Sequence, residues 1–492
     1  MMNYNPSLYE INTRVWLKNF GKGKAEVSFS DIPNTYWDDF VKNGIDYVWL
    51  MGIWKTCDSV IGKYCFEEEL VKSYDRALKD WKREDVIGSP FAIDVYEVNP
   101  KLGNLKSLLE LKSQLNKKGI KLILDFVPNH FSADSSLIKI NPDIFLFVDK
   151  SLFERDPHTF YKPVNQQNYF AHGRDPFFPA WQDTIQVNFF SEDARNYLTG
   201  ILLDLTKVCD GVRCDMAMLA INNVFKNTWA GVLASSGFET SKTEFWKDAI
   251  AKVKNERQDF LFIAETYWDL EWELQQLGFD YTYDKRLTDR LKMSSVNEIH
   301  DHFLAQQDFQ KKLVRFLENH DEERAVTALG KEKSKAAAVI ISTVPGMHFY
   351  YDGQFEGKKI KLPVQLAREP EETALNGMKD FYSELLPVAA QEIFKHGKWT
   401  LLELTSSWES NTTYKNMLAW FWTFHDEKRV VVVNYSSILA TCRLKLDLRG
   451  YPEEVTIKDL LNDRTYMRSA EEVFHLGLYI ELKSYQSHIF SF

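Results

Sequence analysis

A (β/α)8 TIM barrel with an inserted subdomain after strand 3 and a C-terminal antiparallel β-sandwich domain is the fold class this chain predicts. Three observations predict it. Eight short apolar runs alternate, for the most part, with stretches that read as amphipathic helices. One connection, after the third run, is far too long for a single helix. Beyond about Gly397 the helical pattern stops and short strands follow one another.

The runs are LYEINTRVWL from Leu8, YVWLMGIW from Tyr47, KLILDFVPN from Lys121, GVRCDMA from Gly211, FLFIAET from Phe260, FDYTYD from Phe279, LVRFLENHD from Leu313 and MHFYYDG from Met347. They are rich in β-branched and aromatic residues, as buried strands are. Ahead of the third run, NLKSLLELKSQLNKKG repeats leucine at helical spacing and closes on Gly119. The long connection, roughly Phe131 to Asn188, is rich in Pro, Asn, Asp and Phe. Its many aromatics speak against disorder, so a lid or small inserted domain is expected there. LAWFWTF, RVVVVNYS, CRLKLDL, EEVTIKDLL and LYIELKSYQSHIFSF then read as strands joined by turns. The expected division is 1–130 and 189–395 for the barrel, 131–188 for the insertion and 396–492 for the all-β domain.

Bulk properties narrow the function. The chain has 492 residues, 45% hydrophobic and 26% charged, with a net charge of −10. That acidic balance argues against a nucleic-acid or anionic-membrane surface, which needs clustered Lys and Arg. No run is long and apolar enough for a membrane span, and the N-terminal stretch does not read as a secretory signal. The five cysteines, Cys57, Cys65, Cys209, Cys214 and Cys442, are odd in number. Reduced thiols in a cytoplasmic protein are the expectation. The sequence leaves the oligomeric state open.

The chemistry should stand at the C-terminal ends of the barrel strands. There the third run offers Asp125, Asn129 and His130, the fourth Arg213 and Asp215, the fifth Glu265, the seventh Glu318, His320 and Asp321. Any one of these acids could be a helix cap or half of an ion pair. Arg213 and Asp215, buried in an apolar run, are either a structural pair or a working carboxylate with its helper. Acids and histidines at several strand ends around one axis exceed structural need.

In this order, DFVPNH, GVRCD, AET and ENHD resemble the four signature regions of the α-amylase family of retaining glycoside hydrolases. QVN at 186–188 resembles a further motif of that family, and GSPFAIDVYEVNP with the helix and strand after it resembles its second-to-third-strand region. The resemblance spans nearly the whole chain. It implies Asp215 as nucleophile, Glu265 as general acid/base and Asp321 as a third carboxylate that grips sugar hydroxyls. It implies His130 and His320 as hydrogen-bonding partners of the same sugar, and Arg213 as the cation that keeps Asp215 ionised. It implies Phe91 at the place of a stacking tyrosine and Asp125 as support for Arg213. Trp268 and the rings of the insertion are either sugar platforms or core.

Three departures from the pattern stand out. Met218 and Leu219 replace a Lys–His pair expected at the leaving-group side and in calcium binding; Phe91 lacks the tyrosine hydroxyl; Val95 stands where an Asp is usual, with Asp94 one place earlier. They point away from ordinary endo-acting starch hydrolysis. Asn129 matches a calcium ligand of many relatives, yet no metal or other cofactor is expected to be required. The expected activity is hydrolysis of α-linked glucosides or malto-oligosaccharides. Transglycosylation or phosphorolysis through the same intermediate is the alternative. A non-enzymatic, transporter-associated relative is a third reading, disfavoured because the chain keeps all three acids and shows no span.

Overall fold

The computed structural model describes residues 5–21, 27–164, 166–236, 239–447 and 452–492. Each of the eight apolar runs contains one barrel strand: β1 Ser7–Asn12, β2 Tyr47–Met51, β3 Lys121–Phe126, β4 Gly211–Cys214, β5 Leu261–Ala264, β6 Tyr281–Tyr283, β7 Leu313–Arg315 and β8 Met347–Tyr351. They close into a barrel in chain order, every neighbouring pair parallel.

Alternation along the strands explains the runs. Trp49, Met51, Ile123, Ile263, Tyr283, Val314 and Phe349 fill the barrel interior. Val48, Leu50, Leu122, Leu124 and Val212 face outward into the larger core under the helices. With both faces buried, the strands need no polar alternation. Helix α1, Leu105–Lys117, packs Leu108, Leu111 and Leu115 inward. Asn104 and Ser107 cap its start reciprocally, each side chain accepting from the other's backbone N–H at 3.0 Å.

The first run is not one strand. β1 stops at Asn12, and Thr13–Trp16 turns helical. Arg14 accounts for the turn: its Nη2 donates to the carbonyls of Gly88 and Val364, both at 2.6 Å, which an extended chain would not reach.

The insertion is folded. His130–Ser132 pairs antiparallel with Thr184–Gln186, and Phe147–Val148, Tyr169–Ala171 and Phe160–Tyr161 form a second small sheet. Phe131, Phe145, Phe170 and Ile185 are buried beneath them.

Among its described residues the C-terminal region has eight strands: β9 Lys398–Leu401, β10 Met417–Phe424, β11 Glu427–Asn434, β12 Ala440–Leu444, β13 Glu454–Asp459, β14 Arg464–Ser469, β15 Leu478–Leu482 and β16 Ser487–Ser491. Six form one sheet, in the order β9-β10-β11-β16-β13-β14, and β12 and β15 form another. The two enclose a separate core around Val430, Val432, Cys442 and Ile480. Trp422 Nε1 donates to Thr343 O at 2.8 Å, and Tyr435 OH to Leu291 O at 2.7 Å, fastening this domain to the barrel.

Candidate active site

Arg213 is the hub. It lies wholly buried on β4, in register with Asp125 on β3 and Ile263 on β5. Its Nη1 donates to Asp215 Oδ1 at 2.6 Å, and its Nη2 lies 2.9 Å from Glu265 Oε2. The guanidinium rests among rings, 5.0 Å from Trp49, 5.4 Å from Phe91 and 5.8 Å from Tyr283. Apolar walls exclude water and strengthen both ion pairs.

Asp125 sits one step behind. Its oxygens accept from Trp49 Nε1 at 2.9 Å and from Gly52 N at 2.7 Å. It therefore fixes the ring on which the guanidinium rests and makes no direct ion pair with it. Gly52 has φ +79°, and a Cβ there would come within 2.8 Å of Pro90, so this turn requires glycine.

The end of β4 is bent toward β5. Met216 adopts a left-handed φ of 42°, uncommon for a non-glycine residue. Its N–H thereby donates to Glu265 Oε2 at 2.6 Å. The other oxygen, Oε1, accepts from Tyr267 OH at 2.9 Å. Glu265 is buried and held at both oxygens.

On the opposite wall, His320 Nδ1 is 2.5 Å from Glu10 Oε1 on β1, and Nε2 is 3.0 Å from Asp321 Oδ2. The Asp321 side chain is 51% exposed while Asp215, Glu265 and His320 are buried, so the cleft opens to water at Asp321. Phe91 faces His320 at 5.2 Å with its plane tilted by 31°. His130 hydrogen-bonds the Phe91 backbone, and its ring is 5.2 Å from that of Trp181 in the insertion.

The protonation states divide by environment. Burial raises both Asp215 and Glu265, and Arg213 opposes the rise in each. Asp215, hydrogen-bonded to the guanidinium, ionises first. Its charge, with that of Asp321, then helps hold the proton on Glu265, which is pushed up to about 7. Burial also raises Asp321, but His320 outweighs it and leaves this carboxylate well below the usual range. Burial would lower His320, but Asp321 and Glu10 raise it well above the ordinary imidazole value. Burial lowers His130 to about 3, so this ring is neutral.

The structure thus brings Asp215, Glu265, Asp321, Arg213, His320 and Phe91 to one cleft, with His130 joined through Phe91. Glu318, offered by its strand end, goes elsewhere: it pairs with Arg324 Nη1 at 2.8 Å and accepts from Ala325 N at 2.5 Å, capping the helix Ala325–Leu329. Met218 and Leu219 lie buried in the short turn Ala217–Ala220 just beyond Asp215, Met218 within the main core. Asp94 fastens the insertion, accepting from Ser136 N at 2.8 Å and pairing with Lys55 at 3.2 Å.

Glu10 and Tyr267 escaped the sequence reading. Glu10 carried a signal, a lone acid inside an apolar strand, the same signal that singled out Arg213. Nothing in the sequence marked Tyr267. Around Asn129 the donors do not suit calcium: Gln186 Nε2 donates to its Oδ1 and to its backbone oxygen, both at 2.9 Å. Among the described residues no group of three or more His, Cys, Asp and Glu side chains is placed to hold an ion.

A closed (β/α)8 barrel that gathers three carboxylates, a buried arginine and two histidines at the C-terminal ends of its strands belongs to the class of barrel enzymes acting by paired carboxylates. The family model for the alpha-amylase catalytic domain matches residues 91–380, and the chain belongs to that family of glycoside hydrolases. "Alpha-amylase 3" of Dictyoglomus thermophilum is 23% identical over 433 residues, covering 77% of this chain and 78% of its own length. The intracellular maltogenic amylase of Bacillus subtilis is 21% identical over 323 residues, covering 63% of this chain and 52% of its own, so the chain spans about half of that relative. The crystal structure of a maltogenic alpha-amylase from Thermotoga neapolitana superposes with a TM-score of 0.68 at 20% identity, covering 99% of both chains, and shows the same fold.

Proposed function

We propose that this enzyme hydrolyses α-linked glucosides or short malto-oligosaccharides with retention, through a glycosyl intermediate on Asp215. The carrying observation is that one buried guanidinium touches both Asp215 and Glu265. A single side chain in contact with two carboxylates keeps them near one another, in keeping with the close pair (roughly 5–5.5 Å) that retaining enzymes use.

In this reading Asp215 attacks the anomeric carbon while the Glu265 proton passes to the leaving oxygen. Water then enters, Glu265 takes its proton, and the resulting hydroxide equivalent breaks the Asp215 ester. Asp321 and His320 bind hydroxyls of the same ring, the neutral His130 offers a hydrogen bond, and Phe91 lies against the sugar's apolar face. The proton held on Glu265 up to about pH 7 suits it to the first step.

The site of action we infer is the cytoplasm. All five cysteines are free, and among the described residues no helix is long and apolar enough to cross a membrane. The Bacillus subtilis relative is itself named as intracellular.

Incubation with maltotriose tests the activity: smaller sugars alone support hydrolysis, while longer sugars or a sugar phosphate would assign transfer instead. A fluorinated glycosyl donor should leave its adduct on the peptide containing Asp215. An adduct mapped to any other residue would refute the nucleophile.

A further inference from the structure

Resting on the reading that places a sugar against His320 and Asp321, we propose that Glu10 is a positioning residue of the reaction: its carboxylate keeps His320 an imidazolium, so that Nε2 presents an N–H beside Asp321.

Glu10 stands in the middle of β1, in register with Trp49 on β2 and Tyr351 on β8, and is completely buried. Oε1 lies 2.5 Å from His320 Nδ1, while Oε2 is buried with no hydrogen-bond partner. A neutral imidazole would need only a neutral acceptor at Nδ1, which glutamine would supply in the same volume. A buried carboxylate with an orphaned oxygen is a costly alternative unless its charge is matched. Among the described residues His320 is its sole ion-pair partner, since Arg213 is taken by Asp215 and Glu265.

The other side of the ring makes Glu10 necessary. Asp321 approaches Nε2 at 3.0 Å, but its side chain is open to water, which weakens its hold. Trp49, with ring centres 5.6 Å apart, and Phe91, at 5.2 Å, wall the imidazole without charge. The charged groups that act on His320 are Glu10 from β1, Asp321 beside it, Asp125 from β3 and Asp215 from the end of β4. Glu10 is the buried acid in direct contact. With a single proton kept on Nδ1 by the Glu10 contact, a lone pair on Nε2 would face the Asp321 carboxylate and push it from the sugar.

The test uses Glu10→Gln in the full chain. On whichever α-glucoside the wild type turns over, kcat/KM should fall about 10-fold at pH 7.5 and by a clearly smaller factor at pH 5.5, where the lower pH, with Asp321 still beside Nε2, restores part of the imidazolium. A loss equal at both pH values marks a merely structural role and overturns the proposal. Nitrogen-15 NMR, with the signal identified by its disappearance in His320→Gln, reads the ring directly: doubly protonated at pH 7 in the wild type, singly protonated in Glu10→Gln. A neutral His320 in the wild type overturns the proposal even if Glu10→Gln does not fold. If the wild type turns over no α-glucoside, the functional reading fails, and the NMR measurement still decides the role of Glu10.

Discussion

Two buried arginines on the same barrel carry the same chemistry to different ends. Arg315 on β7 spends every nitrogen: Nε donates to Pro345 O at 2.9 Å, Nη1 to Asp284, and Nη2 to the side chain of Gln310. Asp284 is engaged as fully, meeting His302 Nε2 at 2.9 Å and capping its helix through Leu287 N at 3.1 Å. Arg213 on β4 instead serves two carboxylates, and Nη2 makes no aligned hydrogen bond despite its contact with Glu265. The electrostatic signs follow. Burial raises Asp284, but His302 and Arg315 outweigh it and hold the carboxyl far below its usual range. Around Arg213 burial wins, and both carboxyls rise. A satisfied cluster stores stability; an under-satisfied one beside an open cleft stores reactivity.

The largest expected effect lies on the reactive side. Asp215→Asn should lower kcat by roughly 10³-fold or more, because the nucleophile is gone. It should also unfold at an equal or higher temperature, because burial opposes the Asp215 charge more than Arg213 supports it, and asparagine carries none. A turnover assay and a melting curve on one preparation check both. A variant that loses stability and keeps activity would reverse the assignment of the two clusters.

Arg315→Met is the counterpart. It leaves the Asp284 charge buried without its arginine partner, and should cost about 3–5 kcal/mol in urea unfolding. The contribution of Asp284 has a definite pH window. Its folded-state value is depressed, so its stabilisation is present above about pH 4, the unfolded carboxylate range, and fades as pH falls below it. The variant should therefore differ least from the wild type in acid. A difference that grows on acidification would contradict the pair.

Glu265 has the opposite sign. Its folded-state value is raised to about 7 from the ordinary carboxylate range. The folded protein is favoured with the proton on, and this advantage is lost as pH rises from about 4.5 through 7. Glu265→Gln should remove that loss and gain about 2–3 kcal/mol at pH 8 relative to pH 5. The same group predicts that wild-type kcat/KM declines above about pH 7. A flat stability difference between pH 5 and 8 would detach Glu265 from that limb.

Tyr267→Phe should have the smallest effect. It removes one hydrogen bond to Glu265 Oε1. A donor to a carboxylate favours the charged form, so its loss should move the alkaline limb upward by less than one pH unit, with kcat changed only about three-fold. A downward shift would mean that the hydroxyl works through something other than this bond.

Much of this was legible in the chain. Every barrel strand coincides, to within a residue, with part of an apolar run named from sequence, because strands buried on both faces are largely apolar throughout. Arg213, Asp215 and Glu265 were legible for the converse reason: charges inside such runs are too costly to be incidental. Glu10 met the same criterion inside LYEIN, but its partner His320 lies 310 residues away and no local pattern joins them.

The sequence by itself determined the periodicities, the strand count of the barrel, the order of the strand-end acids and the family resemblance, since each depends on residues near in the chain or on ordered motifs. Only the tertiary structure decided that Asp125 holds Trp49, that Glu318 caps a helix, and that one guanidinium is shared by two carboxylates. Those outcomes depend on which buried groups meet across the barrel, and a group's charge state follows from the partners and water it finds there.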